Sequence, residues 1–237
     1  MSHAGTNATS DLVKHTINLL VHGTAEDWKK HYRIREFNAV IPEKSKNALF
    51  MDFEYKDRWK LYHCVQQRHI GAEPIDYLEF GVASGDSLRR WLGINKQETS
   101  RFFGFDSFQG LPEDWMAGTP KGAFDQKGRV PHFDDGRATI VDGLFQDTVD
   151  AFSRGFQPRN RLVIHLDADL YSSTLYCLMH LNRHIAPGTI LFFDEFTARE
   201  CTDEFAALQD YCASCYRDYT VLASRSDYVK LAVEIVR

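Results

Sequence analysis

The chain of 237 residues has no apolar run of membrane-spanning length and no run of lysines and arginines. The first absence excludes a transmembrane helix. The second, with a net charge of −5, argues against a sequence-independent grip on nucleic acid, which needs clustered cations. The opening residues, M-S-H-A-G-T-N-A-T-S, lack the basic and apolar parts of a secretion signal, so a cytoplasmic location with reduced thiols is expected. Cysteine is scarce, five in all. Cys212 and Cys215 form a C-x-x-C with no second pair, inside a stretch that reads as helix, so buried helix-face cysteines are expected rather than a metal or redox pair. Also missing is the G-x-G-x-x-G fingerprint of dinucleotide sites. What remains is an ordinary globular composition, 43% hydrophobic and 26% charged, enough to bury a real core.

The organising stretch runs from Ile75 to Leu92. Ile75, Tyr77, Leu78, Phe80 and Val82 read as a short buried strand, Gly81-x-x-x-Gly85 as a tight turn, and Ser84, Asp86 and Ser87 as helix-capping residues. The two glycines permit positive φ and close approach to a ligand. A second strand, Arg101 to Asp106, ends in a carboxylate 25 positions after Gly81. A carboxylate there can accept both ribose hydroxyl protons of an adenosine. An adenosyl ligand with no pyrophosphate to cradle points to S-adenosylmethionine; the plain alternative is a βαβ unit with no ligand.

Strands are expected near 75–82, 101–106, 138–142, 161–167 and 189–194, with helices near 86–93, 146–153, 172–185 and 202–215. Residues 219–224 and 228–236 read as an antiparallel hairpin. The expected fold is α/β: a doubly wound, seven-stranded, mostly parallel sheet with a C-terminal antiparallel hairpin. Ahead of it, residues 1–9 read as disordered. Helices are expected over 11–21, from Thr24 to about Tyr32, and over 55–69, with Asn38 to Lys46 as a loop around Pro42. Residues 1–70 are thus a helical extension packing on or roofing the site, and 71–237 the main domain. Residues 107–137, with five glycines, three prolines and the aromatics Phe108, Trp115, Phe124 and Phe133, are too long and too aromatic for a plain linker, so a substrate-covering lid is expected.

Carboxylates gather at two strand ends. R-L-V-I-H-L-D-A-D-L-Y-S-S-T delivers His165, Asp167 and Asp169; T-I-L-F-F-D-E-F delivers Asp194 and Glu195. Four carboxylates on one rim repel unless protons or a cation intervene, and oxygen-rich clusters of this kind suit Mg²⁺ or Ca²⁺. His165 precedes Asp167 by two positions and should share its sheet face, which makes it an alternative base. The plain alternative gives each carboxylate a separate structural partner.

L-E-F-G-V-x-x-G-x-S, then F-G-F-D-S-F-x-G-L-P-E, then D-x-D-L-Y-x-S-T, then a strand ending in paired acids, resemble the macrocin and novobiocin sugar O-methyltransferase family over roughly residues 75–200. The resemblance implies a Rossmann-like methyltransferase fold, S-adenosyl-L-methionine and Mg²⁺ as cofactors, and a sugar or other hydroxylated natural product as acceptor. Carried over by motif, Glu79, Gly81 and Gly85 line the methionine part of the cofactor, with Phe80 and Ser87 of the same motif in the cofactor set. Asp106 and Ser107 meet the ribose, and Asp142 and Gly143 lie near the adenine. Asp167, Asp194 and Glu195 form the metal site, with Asp167 also as base, beside the cofactor. Two departures stand out: Ala168 where the family has glycine, and Glu195 where it has a second aspartate.

The leading expectation is therefore an O-methyltransferase of a small hydroxylated metabolite. A metal-independent N-methyltransferase on an amino sugar and a non-catalytic cofactor-binding partner protein are the alternatives. Only turnover separates the three. A homo-oligomer is compatible with this composition and not specified by it.

Overall fold

The computed structural model describes residues 16, 18–21 and 23–237. The helix expected over 11–21 falls largely outside them, although 18–21 are helical; the disorder expected over 1–9 falls wholly outside. Helix α1 (Ala25–Lys44) starts at a capping box, where the Thr24 hydroxyl accepts from the Asp27 N–H and the Asp27 carboxylate accepts from the Thr24 N–H. The start matches expectation, but the end does not. The helix takes in residues 38–44 of the expected Asn38–Lys46 loop, with Pro42 in its last turn. Fully buried Ile41 and the Phe37 ring, packed edge-on to Phe205 and Tyr228, hold that stretch down. Packing outweighs the one backbone bond proline forfeits near a helix end.

After α1 comes β1 (Leu49–Met51), absent from the sequence reading. The single helix expected over 55–69 is three pieces: a 3₁₀ turn (Tyr55–Asp57), α2 (Trp59–Val65) and a π turn (Gln66–Ile70) closed by the Gln66 amide on the Gly71 carbonyl, 2.6 Å. The remaining elements follow the expected alternation: β2 (Ile75–Phe80), α3 (Asp86–Ile94), β3 (Arg101–Asp106), β4 (Ala138–Asp142), α4 (Phe145–Gly155), β5 (Arg161–Leu166), α5 (Tyr171–Leu181), β6 (Ile190–Phe193), α6 (Glu204–Cys215), β7 (Tyr219–Arg225) and β8 (Leu231–Ile235).

These strands make one eight-stranded sheet in the order β1-β7-β8-β6-β5-β2-β3-β4. The expected seven become eight because β1 adds a parallel partner to β7, Leu49 opposite Ala223. Only β8 runs against its neighbours, β6 and β7. Central strands β2 and β6 are buried at every position, as both-faced burial in an α/β sheet requires. Two apolar clusters cover the two faces. One joins Leu78, Phe80, Leu166 and Phe193 to α5 and α6; the other joins Tyr77, Val163 and Phe192 to α2 and α3. From β2 the chain proceeds outward to β3 and β4 and then returns to β5 on β2's other side. That reversal opens a crevice at the carboxyl ends of β2, β3 and β5, the usual place for a ligand in such sheets. No described helix is long and apolar enough to cross a membrane, and all five cysteines are free.

Candidate active site

A cavity of about 370 Å³ occupies that crevice, within the range of small-molecule sites. Its rim is stitched by backbone bonds one residue beyond each strand: Gly81 N–H to Phe105 O, Asp167 N–H to Phe80 O, Gly143 N–H to Asp106 O, and Asp194 N–H to Leu166 O. Those bonds fix where each rim side chain starts.

One half of the cavity is built by the ends of β2, β3 and β4. Gly81, Ala83, Asp106, Ser107 and Gly143 line it. Asp106 accepts from the Ala83 N–H (2.8 Å) and the Phe108 N–H (2.7 Å), clamping the glycine turn to the β3 end while its other lone pairs face the cavity. Gly81 is required by packing: at its φ of +96°, a Cβ would sit 1.8 Å from the Asp167 carbonyl oxygen. Gly85 caps α3 in a left-handed conformation and faces Phe133 instead of the cavity.

Four further residues of the expected cofactor set do not line the cavity: three are buried behind its wall, and Asp142 is exposed at the end of β4. Phe80 is core, and Asp142 is the last residue of β4 with its side chain off the cavity. Glu79 is fully buried and accepts from the Tyr77 and Ser87 hydroxyls, both at 2.6 Å, so Glu79 and Ser87 lock β2 to α3. Burial pushes the Glu79 carboxyl up, against the His165, Ser87 and Tyr77 contacts that pull it down. The strand-to-helix motif is thus partly a scaffold for the turn.

The other half is acidic. Asp167, Asp169 and Glu195 line it. Asp169 is the centre of a three-residue turn closed by Leu170 N–H on Ala168 O, with φ +57°, a sparsely populated conformation that aspartate tolerates better than most residues. Burial lifts its carboxyl to about 7, helped by Glu195, Asp194 and Asp203 and opposed by Lys230. Asp167 is raised well above the ordinary range, by burial first and by the Asp194 charge second, with Arg58 opposing. Glu195 is raised by burial, and its backbone N–H donates to the buried Glu204 carboxylate at 2.9 Å.

Asp194 behaves oppositely. It is almost fully buried and does not line the cavity. Its Oδ2 takes the Lys230 ammonium at 2.5 Å and the Arg58 guanidinium at 3.3 Å. Burial pushes its pKa up, but the His165 ring and the Lys230 and Arg58 charges together hold it below the ordinary value. Register explains Lys230: β6 and β8 pair Phe193 with Leu231, which sets Lys230 across from Asp194. Arg58 arrives from the turn before α2, 3.8 Å from Asp167, and donates to the Tyr55 hydroxyl. The Tyr55 ring meets both cations, 4.8 Å from the Arg58 guanidinium and 4.4 Å from the Lys230 ammonium.

His165, expected beside Asp167 as an alternative base, is fully buried against Tyr62, Tyr77 and Phe192 and does not line the cavity. Its Nδ1 meets the Tyr77 hydroxyl at 2.7 Å, and its Nε2 lies 3.8 Å from Asp194 Oδ1 with no hydrogen-bond partner. A base must reach the proton it takes, so the geometry removes His165 from direct transfer.

The residues expected to hold Mg²⁺ do not fit it. Ligand atoms of His165, Asp167 and Asp194 do lie within 4.8 Å of one another. The outward oxygen of Asp194 is already shared by two cationic side chains, and its inward oxygen faces a buried imidazole. Mg²⁺ keeps several waters and wants oxygen ligands in an open octahedron, which neither side of Asp194 offers.

The third wall is the 107–137 segment, which contributes Gly110, Leu111, Trp115, Phe124 and Gln126. It is irregular apart from a turn bridging Met116 and Thr119. The Trp115 indole N–H donates to Asp203 at 2.9 Å and ties it to the approach to α6. Sequence reasoning missed Tyr55, Arg58, Lys230, Gln126 and Ser173. Lys230 alone carried a signal, a cation inside the apolar run Y-V-K-L-A-V.

Residues 78–196, half of the chain, match a family model described as a methyltransferase domain, and the chain belongs to that family. A relative from Streptomyces olivaceus, named 8-demethyl-8-(2,3-dimethoxy-alpha-L-rhamnosyl)-tetracenomycin-C 4'-O-methyltransferase, is 29% identical over 175 residues, 64% of this chain and 63% of that protein. The match thus spans less than two thirds of that relative's length. Among solved structures, the calicheamicin methyltransferase CalS11 superposes with a TM-score of 0.56 at 20% identity, covering 90% of this chain and 94% of its own. The O-methyltransferase NovP gives 0.55 at 22%, covering 77% and 79%. At those identities the superpositions establish a shared fold.

Proposed function

We propose that this protein transfers a methyl group from S-adenosylmethionine to a hydroxyl of a sugar or glycosylated small metabolite. The observation that carries the reading is the joining, in one cavity, of a clamped glycine turn at Asp106 with a cluster of proton-accepting carboxylates. Bound S-adenosylmethionine supplies an electrophilic sulfonium methyl. The sugar relative from Streptomyces olivaceus supports a hydroxyl acceptor.

A sugar hydroxyl is a poor nucleophile until its proton leaves. As its oxygen forms the new C–O bond and the C–S bond breaks, the proton passes to a carboxylate, leaving a methyl ether and S-adenosylhomocysteine. Asp169 takes that role here. It lines the cavity from the centre of a tight turn, and its pKa near 7 matches the optimum for a general base. Asp167, the base expected from the motif, also faces the cavity, but burial and then the neighbouring Asp194 charge raise its carboxyl well above the ordinary range. Its nearest cation is Arg58, and it serves to orient the acceptor. Trp115 and Phe124 supply apolar surface for a sugar face and exclude water. Metal assistance has no place in this reading, because Asp194 is committed to Lys230 and Arg58.

The test is mass spectrometry of a panel of nucleotide-sugars and glycosylated metabolites incubated with trideuteromethyl-labelled S-adenosylmethionine. Gain of one labelled methyl on oxygen is expected. Transfer to nitrogen alone, or to no panel member by protein that binds the cofactor, would overturn the hydroxyl assignment.

A further inference from the structure

The acidic rim raises a question of charge that a methyl-transfer reading leaves open. Asp167, Asp169, Asp194 and Glu195 converge at two neighbouring strand ends, and such a group holds together only with protons or cations among them. In many oxygen-rich sites a divalent ion supplies that charge. Here two side chains from opposite ends of the sequence are already in place.

We infer that Lys230 and Arg58 are built-in replacements for a divalent cation, and that the site therefore neither binds nor requires a metal. This rests on the proposed methyl-transfer reading for its use but on geometry alone for its substance. The Lys230 ammonium sits 2.5 Å from Asp194 Oδ2, 2.8 Å from the Asp194 carbonyl oxygen and 3.7 Å from Glu195 Oε1. It thus bridges the two acids that end β6, as a shared ion would. Arg58 bridges the other pair, at 3.3 Å from Asp194 and 3.8 Å from Asp167. Lys230 is 1% exposed, so withdrawing it to admit an ion would leave an ammonium without partners in a dry interior, a severe cost. The Tyr55 ring closes over it from the cavity side. The antiparallel register of β6 and β8 fixes the placement in the sheet itself, so it does not depend on a mobile side chain finding its partner. Fixed cations that bear on carboxylates without moving also act without reorganisation during the reaction.

The deciding measurement is binding of Mn²⁺, read by electron paramagnetic resonance, to protein stripped with EDTA, alone and with S-adenosylhomocysteine. The wild type is expected to bind no Mn²⁺ at millimolar concentration, and its turnover to be unchanged by EDTA. Lys230→Met, which removes the cation bridging Asp194 and Glu195 and leaves only Arg58 on Asp194, is expected to gain Mn²⁺ affinity by at least about tenfold, since a buried carboxylate then lacks one of its two cations. One Mn²⁺ bound to the wild type with submillimolar affinity and lost in Asp194→Asn would overturn the inference. So would a folded Lys230→Met variant that binds Mn²⁺ no better than the wild type. If Lys230→Met does not fold, the wild-type measurement still decides. S-adenosylhomocysteine binding by the same protein separates these outcomes from failure of the methyltransferase reading, which would remove that binding and leave the metal result untouched.

Discussion

The two halves of the cavity are built by different physics. The half at the ends of β2, β3 and β4 is made of backbone: a glycine turn, two N–H groups clamped by Asp106, and a Gly143 N–H bound to the Asp106 carbonyl. Its parts lie close together in sequence and hold a ligand through shape. The half at the ends of β5 and β6 is made of buried charge, and its balance depends on Arg58 and Lys230, far apart in sequence. Local backbone geometry can be replaced only by breaking the turn, whereas a charge cluster can be retuned one side chain at a time. The first half should therefore govern affinity for the cofactor, and the second should govern proton transfer and stability.

The largest effect belongs to the charged half. Lys230→Met should lower unfolding free energy by about 3–5 kcal/mol, the loss on stranding one member of a buried pair. Urea titration checks it. Adding Asp194→Leu should recover part of that loss, because it removes the carboxylate from which Lys230 was taken while Arg58 keeps Asp167 at 3.8 Å. A single variant as stable as the wild type would show that Lys230 carries no charge burden.

Next, Asp169→Asn should lower kcat by about 10²-fold or more, the scale of general-base loss. Asparagine tolerates the left-handed backbone at this position, so the fold should survive. Asp167→Asn should act mainly on KM. A larger kcat loss in Asp167→Asn than in Asp169→Asn would restore Asp167 as the base. In the first half, Asp106→Ala should weaken S-adenosylhomocysteine binding by about 1–3 kcal/mol, the cost of charged hydrogen bonds unmade, as read by isothermal titration. Its kcat at saturating cofactor should stay near that of the wild type.

The pH response is the finest separation. Asp169 must be ionised to accept a proton, so kcat should fall as pH drops below about 7. Stability should move the other way. A carboxyl raised in the folded state contributes stability that is full below its unfolded value of 3.8 and lost as pH rises through about 7. Opposed slopes of activity and stability across that window, absent in Asp169→Asn, would support the assignment; parallel slopes would count against it.

The sequence made the first half legible and the second only in outline. Gly81, Asp106 and Ser107 are read from one strand-turn-helix and the strand after it, because period-two burial and turn chemistry are local. The acids were equally visible at strand ends, and the alternation of strands and helices placed them on one rim. Their cationic partners were not visible, since pairing Lys230 with Asp194 takes the register of β6 against β8, and pairing Arg58 takes the path of the N-terminal segment. Hence the acids without their partners suggested a metal. Glu79 and Ser87 show the converse: they belong to a motif that suggests cofactor contact, yet their hydrogen bonds face inward to Tyr77 and to each other. Strand β1 was missed because three residues carry too little pattern, and the end of α1 because buried Ile41 and Phe37 outweigh Pro42.

Isothermal titration of S-adenosylhomocysteine into Asp169→Asn tests the division of labour most directly. If one half binds and the other moves protons, the affinity should stay within about twofold of the wild type while turnover collapses. A loss of affinity of about tenfold or more, matching the loss of turnover, would show that Asp169 belongs to the cofactor site and that the two halves are not separate.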